Sequence, residues 1–164
     1  VIGVLMDWSI DTTKMEITSI YQGRWYRKSK YNKLKHIFDE RDEISNLIFS
    51  LVSLKPKELC VKYAIKRTNQ KMDEKFNKKQ LSVKTYMKHS EEEQSHIRNS
   101  FMFYIWTYYE RKIQNIIAEN FKYPKTLHDA VYTQNKDEFE YISIKKVEEC
   151  IYNQTAFSIK LSTE

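Results

Sequence analysis

The sequence predicts a mainly α-helical protein, an up-and-down helical bundle of four to five helices. Two long stretches, 31–54 and 90–121, carry apolar residues at three- and four-residue steps, the spacing of one helix face. Two glycines and two prolines are very few for 164 residues, whereas all-β folds need many turns. The length suits one domain with an appendage. We therefore expect residues 1–30 to form a short N-terminal appendage and residues 31–164 the helical bundle domain.

The N-terminal stretch 1–28 allows two interpretations. Met15, Ile17 and Ile20 alternate with polar residues, which favours a strand and gives the appendage possible β-hairpin character. Short helices fit the same stretch almost equally well.

Basic and aromatic residues are interleaved directly after this stretch. Such groups can stack on bases and neutralise phosphates. An ordinary loop anchored by its tryptophan explains the pattern too. The candidate nucleic-acid-binding residues here are Arg24, Trp25, Arg27 and Lys28.

The stretch 31–54 predicts a helix with one apolar face, made by Leu34, Ile37, Phe38, Ile44, Ile48, Leu51 and Val52. Arg41 falls on this apolar side. Its stem can lie along the core with a solvated head, or its charge can pair with a buried acid. A further helix is expected over 57–66, followed by a polar, Lys-rich surface segment, 67–90, that is loosely helical and then a mobile connection.

The stretch 90–121 is the most apolar in the chain and organises the predicted bundle. Ser90 and Glu93 have the spacing of a capping box, which marks the helix start. Its middle is apolar on all sides, so we expect it to be buried. Arg98 and Glu110 interrupt the apolar run.

Three shorter elements are expected after residue 124. Thr126 and Asp129 predict a capped short helix over 126–131, and Ser143 predicts the cap of a helix over 143–152. The alternating Phe157, Ile159 and Leu161 predict an extended tail.

Composition narrows the classes of function. The net charge of +6 is compatible with RNA or another polyanion. Cys60 and Cys150 lack metal-ligand spacing and suit free thiols in a reducing cytoplasm. With Gly3 and Gly23 as the only glycines, a Gly-rich phosphate loop is excluded. We expect a cytoplasmic protein without metal, cofactor or membrane segment.

Three stretches in order resemble prokaryotic members of the HEPN superfamily. Residues 98–113 (RNSFMFYIWTYYERKI) resemble the family's third-helix region, with an arginine, an apolar run, an aromatic residue and a glutamate. Residues 41–47 (RDEISNL) are similar to the preceding helix. Residues 144–159 are similar to the helix and short apolar segment before the final helix. The resemblance covers about half of the chain.

The resemblance implies an all-α bundle, often dimeric, that acts on or beside RNA in defence or toxin–antitoxin systems. Many members are ribonucleases, whose site has an arginine, often followed by Asn, and then a histidine, with four to six residues between the arginine and the histidine. Here Arg98 and Asn99 begin such a motif, but residues 103–105 are Phe, Tyr and Ile. No catalytic residue is therefore assigned. The motif lies beyond Glu164, or the protein is a non-catalytic member that binds RNA or acts as a scaffold; Arg98 is a candidate RNA-binding residue.

Arg41 and Glu110 are predicted to form an ion pair between antiparallel helices. Arg98 is 12 residues from Glu110, about 18 Å along a helix, too far for a direct pair. The pair is either structural, or Glu110 faces a dimer cleft and positions an RNA-binding cation.

Three functions remain open at this stage. The first is an RNA-associated, HEPN-like component of a defence or toxin–antitoxin system. The second is a helical protein-interaction module that assembles into a homodimer or hetero-complex. The third is a non-enzymatic nucleic-acid-binding adaptor that uses Arg24–Lys28 and the Lys-rich segment 62–88.

Overall fold

The computed structural model describes residues 6–21, 26–52, 57–76, 81–127, 130–133 and 142–162. Helical residues make up 76% of this part, so the mainly α prediction is confirmed. The α-helices are α1 (Ile10–Tyr21), α2 (Lys28–Tyr31), α3 (Lys35–Val52), α4 (Leu59–Phe76), α5 (Glu91–Ala118) and α6 (Ile144–Thr155). Short 3-10 helices span Asn32–Leu34 and Val83–Lys88, and strands β1 (Lys125–Leu127) and β2 (Ala130–Tyr132) form an antiparallel hairpin.

The chain divides into two compact units, Val1–Ile105 and Trp106–Glu164. Helix α5 begins in the first unit and ends in the second. The expected division between an N-terminal appendage and a bundle domain at residue 30 stays a prediction. The boundary between the two compact units lies elsewhere, between Ile105 and Trp106.

Within the N-terminal stretch 1–28 the structure shows a helix over Ile10–Tyr21, so the strand expected around Met15, Ile17 and Ile20 was wrong and the helical interpretation is correct there. Ser9 caps α1, because its Oγ accepts a hydrogen bond from the Thr12 amide at 3.1 Å. Ile17 and Ile20 are three residues apart, which also suits a helix face. Ile20 is fully buried in the first core cluster, with Tyr31, Leu34, Ile37 and Phe38. The spacing of Met15, Ile17 and Ile20 fits both a strand and a helix, and tertiary packing favours the helix.

Helix α3 buries only part of the face that was expected to be buried. Ile37 and Phe38 are buried as predicted, but Ile44 and Leu51 are exposed. The inward line continues instead through Arg41, Ser45 and Phe49, all of them buried. The apolar arc of this helix is wider than the core against which it packs, and periodicity alone cannot decide which part is covered.

Helix α4 extends into the first part of the segment 67–90, which was expected to be loosely helical. It ends at Phe76 rather than near residue 66, because Thr68 and Met72 are buried and hold the additional turns. Met72 packs with Leu81 and Ile97 in a second core cluster.

Helix α5 starts at the predicted capping box. The Ser90 amide donates to Glu93 Oε2 at 3.2 Å, and the Glu93 amide donates to Ser90 Oγ at 3.4 Å. The expectation that its middle is buried on all sides was wrong, because Trp106 is exposed. Ile97 and Phe101 are buried in the first unit and Ile116 in the second, so the buried positions of this helix serve two separate cores.

The second unit contains the hairpin, α6 and a returning tail. The hairpin replaces the short helix expected over 126–131. Thr126 pairs with Val131 across it, and β-branched residues favour strands. The Ser143 cap of α6 is confirmed by a 3.4 Å hydrogen bond from the Lys146 amide. Ile159 of the tail packs on the core cluster of Ile116, Val147 and Ile151.

Candidate nucleic-acid interface

Helix α4 presents three cations on one exposed face. Arg67, Lys71 and Lys75 follow one another at four-residue steps, so they lie in a row about 12 Å long. All three side chains are exposed. Thr68 and Met72 directly follow Arg67 and Lys71 in the chain and are fully buried. They fix the neighbouring side of α4 against the core. The row is therefore held on a packed helix.

Aromatic rings from α5 lie beside this row. Arg67 Cζ is 5.6 Å from the Tyr104 ring centroid, and Lys71 Nζ is 5.7 Å from that of Phe103 and 5.9 Å from that of Tyr104. Both rings are half-buried. Distances of this size are typical of cation–π contacts. The contacts hold these two cations near the rings, and among the described residues neither cation forms an ion pair with a carboxylate.

His96 lies at the far end of the row. Lys75 Nζ is 3.1 Å from His96 Nδ1 and 3.3 Å from Nε2, and the Phe76 ring meets the imidazole edge-to-face at 5.5 Å. Burial, and then the charge of Lys75, lower the pKa of His96 below its usual 6.5; Lys71 lowers it further and Glu92 opposes them. Burial and the charge of Lys75 both favour the neutral form of the imidazole.

These contacts also give the direction of the two helices. Lys75 meets His96, whereas Arg67 meets Tyr104, so rising numbers on α4 match falling numbers on α5. The helices are antiparallel along this contact, as neighbours in an up-and-down bundle would be. We name this surface the basic–aromatic strip, formed by Arg67, Lys71, Lys75, His96, Phe103 and Tyr104.

Arg98 lies outside the strip. It is two residues from His96, and side chains two apart on a helix point to different sides. Its Nη1 and Nη2 reach Tyr86 Oη and Ser95 Oγ at 3.4 Å each, longer than typical hydrogen bonds. Its Nε is buried without a hydrogen-bond partner in the part of the chain that the structure describes.

Arg41 lies on the apolar side of α3, as predicted, and is buried. Its Nη1 donates to the Ile20 carbonyl in the last turn of α1 at 3.1 Å, and its Nε donates to Asp42 Oδ1 at 2.9 Å. A cation there satisfies a carbonyl that the helix leaves free. Glu110 is exposed and belongs to the second unit, so its pairing with Arg41 stays a prediction.

The N-terminal candidates are only partly described. Arg27 and Lys28 are exposed at the start of α2, and Arg24 and Trp25 lie outside the described residues.

The sequence predicted part of the basic–aromatic strip. The three strip cations lie in the Lys-rich segment 62–88 that was named as a candidate for nucleic-acid binding, but the strip residues of α5 were missed. The four-residue spacing from Arg67 to Lys75 was the available signal for a single face.

A hydroxyl, an imidazole and a carboxylate stand in a row before α5. Thr85 Oγ1 is 2.8 Å from His89 Nε2, and His89 Nδ1 is 3.8 Å from Glu93 Oε2. The order is that of a hydrolase triad. However, the second distance exceeds a hydrogen bond, and the same carboxylate oxygen accepts from Ser90 in the capping box. We therefore interpret the row as the support of the α5 start.

Other classes of site find little support in the described residues. No group of three or more His, Cys, Asp or Glu side chains there could hold a metal ion. Cys60 is buried and Cys150 half-buried, and both are free thiols. Within the described ranges, no helix is both long and apolar enough to cross a membrane.

Comparisons of the chain with protein-family models, curated proteins and solved structures find no match.

Proposed function

We propose that this protein binds single-stranded RNA along the basic–aromatic strip and does not cleave it. One observation carries the proposal: Arg67, Lys71 and Lys75 are exposed in a row, and the first two lie within 6 Å of the ring centroids of Tyr104 and Phe103. The third, Lys75, lies 5.2 Å from the ring centroid of its neighbour Phe76, which borders the strip. Surfaces that bind single strands combine cations for the backbone with rings on which bases stack. The strip offers both along one helix pair.

The proposal concerns single strands because the rings have a use only where bases are unstacked. In a duplex the bases are stacked on each other, and proteins reach mainly the phosphates and the 2′-hydroxyls. The choice of RNA over DNA follows the resemblance to HEPN proteins, as does a place in a defence or toxin–antitoxin system. The proposal of binding without cleavage applies to residues 1–164, in which the Arg-Asn and His motif of that family is absent.

The test compares two triple variants with equal loss of charge. The strip variant is Arg67→Gln, Lys71→Gln, Lys75→Gln. The control variant is Lys57→Gln, Lys145→Gln, Lys146→Gln, three exposed lysines outside the strip. Fluorescence anisotropy measures the affinity of each protein for a labelled single-stranded RNA and for the corresponding duplex.

We expect the strip variant to bind the single strand at least tenfold more weakly than the wild type. The control variant should lose less than about threefold, because exposed lysines elsewhere act only through weak long-range attraction. The wild type should prefer the single strand and leave it intact on a denaturing gel. Equal losses in both variants, or a preference for the duplex, would refute the proposed interface.

A further inference from the structure

Helix α3 carries a line of exposed apolar side chains that the core does not cover. Ile44, Leu47 and Leu51 are 44%, 61% and 58% exposed. They follow at steps of three and four residues, so they lie in one row about 10 Å long. We name this row the α3 stripe. The half-buried Ile48 lies beside it and connects it to the buried face.

The pattern matches the seam along which one helix packs on another. Single exposed leucines are normal on a protein surface, but a seam repeats apolar residues at three- and four-residue steps. The other side of α3 is already occupied by the buried Phe38 and Phe49. The helix therefore has one face for its own core and a second face of the kind that binds a partner helix.

Acidic residues continue the stripe toward the start of α3. Glu40 is four residues before Ile44 and extends the same row, and Glu43 lies beside it. Both carboxylates are exposed. An occupant must therefore offer apolar side chains to one half of the row and cations to the other. RNA does not meet this requirement, because its phosphates would face Glu40 and Glu43.

A second copy of α3 fits the row poorly. In a parallel self-pair Glu40 would face Glu40, and like charges there would repel. In an antiparallel self-pair Glu40 would face Leu51, which would cover a charge without giving it a partner. The charge pattern points to a different helix.

We propose that the α3 stripe binds an amphipathic helix of another protein. That helix has Leu or Ile at three- and four-residue steps and Lys or Arg residues opposite Glu40 and Glu43. The surface is separate from the basic–aromatic strip, which lies on α4 and α5. The protein then holds a helical partner and an RNA through different helices.

Two synthetic helical peptides test the proposal on the whole chain. Both carry the same leucine seam; one has lysines and the other glutamates on its flanks. Leu47→Gln removes the centre of the stripe, and Leu59→Gln is the matched control, because Leu59 is 69% exposed on α4. Circular dichroism confirms that both variants keep the wild-type helix content, and titration calorimetry measures the affinities.

We expect the lysine-flanked peptide to bind at least tenfold more tightly than the glutamate-flanked one. Leu47→Gln should weaken that binding about tenfold or more, which is about 1.4 kcal/mol, and Leu59→Gln should leave it unchanged. Combined Glu40→Gln and Glu43→Gln should abolish the preference for lysine. Equal affinities for the two peptides, equal effects of the two leucine variants, or no binding at all would overturn the proposal. So would peptide-free self-association that Leu47→Gln abolishes, because a second copy would then be the occupant.

Discussion

Replacing Arg41 by methionine tests how α1 is held on α3. Methionine keeps an apolar stem in the core but removes the hydrogen bond from Nη1 to the Ile20 carbonyl and the contact of the guanidinium with Phe38, 5.2 Å from the ring centroid. A hydrogen bond from a charged donor contributes about 1.5–3 kcal/mol, and a cation–π contact about 0.5–1 kcal/mol. Asp42 is partly exposed, so water can replace its lost partner.

The expected loss in the free energy of unfolding is therefore about 2–4 kcal/mol. For a chain of this size it lowers the melting temperature by about 4–16 °C. Urea unfolding followed by circular dichroism measures it as a lower midpoint with an unchanged slope. Arg67→Met is the matched control, because Arg67 is exposed, and its loss should stay below about 1 kcal/mol. Equal losses in the two variants would show that the buried contacts of Arg41 do not hold α1.

Three further predictions follow from local contacts. Ser90→Ala should lower the free energy of unfolding by about 1 kcal/mol, and an unchanged urea midpoint would contradict the cap. Because the pKa of His96 is lowered, the unfolded chain binds more protons than the folded one as pH falls below 6.5. Stability should therefore fall below that pH, and less steeply in His96→Gln; parallel pH profiles would contradict this. The Leu161 amide and the Lys160 ammonium lower the pKa of Glu148 from its usual 4.5. Tail docking should thus persist at neutral pH and weaken as pH falls below 4.5. Glu148→Ala should speed hydrogen exchange of the Leu161 amide at neutral pH, and unchanged protection would contradict that anchor.

Local signals predicted the helices well where they were unambiguous. The starts of α5 and α6 follow from Ser90 and Ser143, because a cap acts on amides two or three residues away. The β1–β2 hairpin was missed because Thr126 and Asp129 have the spacing of a capping box, which predicted a short helix there. Strand pairing depends on residues that meet only after folding, and the sequence spacing there matched the wrong local rule.

The faces of the helices were harder to predict than the helices. Met15, Ile17 and Ile20 fit both a strand and a helix, and packing of Ile20 on α3 decides between them. Ile44 and Leu51 belong to a broad apolar arc, and only the packed core shows that they are its uncovered part. Periodicity gives the presence of an apolar face, whereas tertiary contacts decide which residues it buries.

The candidate interface was half predictable. The cations of α4 lie in a segment whose composition already suggested RNA contact, and their spacing places them on one side of a helix. The rings of Phe103 and Tyr104 were expected in the core, because the middle of α5 is apolar on all sides. Their position beside Lys71 depends on which side of α5 meets α4, and no local pattern contains that information.

The salt dependence of RNA affinity tests the central claim most directly. Each phosphate contact to a single strand contributes about 0.7 to the slope of log affinity against log salt concentration. Removing the cations of Arg67, Lys71 and Lys75 should therefore reduce the steepness of that slope by about 2, while the control variant of Lys57, Lys145 and Lys146 keeps the wild-type slope. The same slope in the wild type and the strip variant would contradict the account, because the strip cations would then make no contact with the RNA backbone.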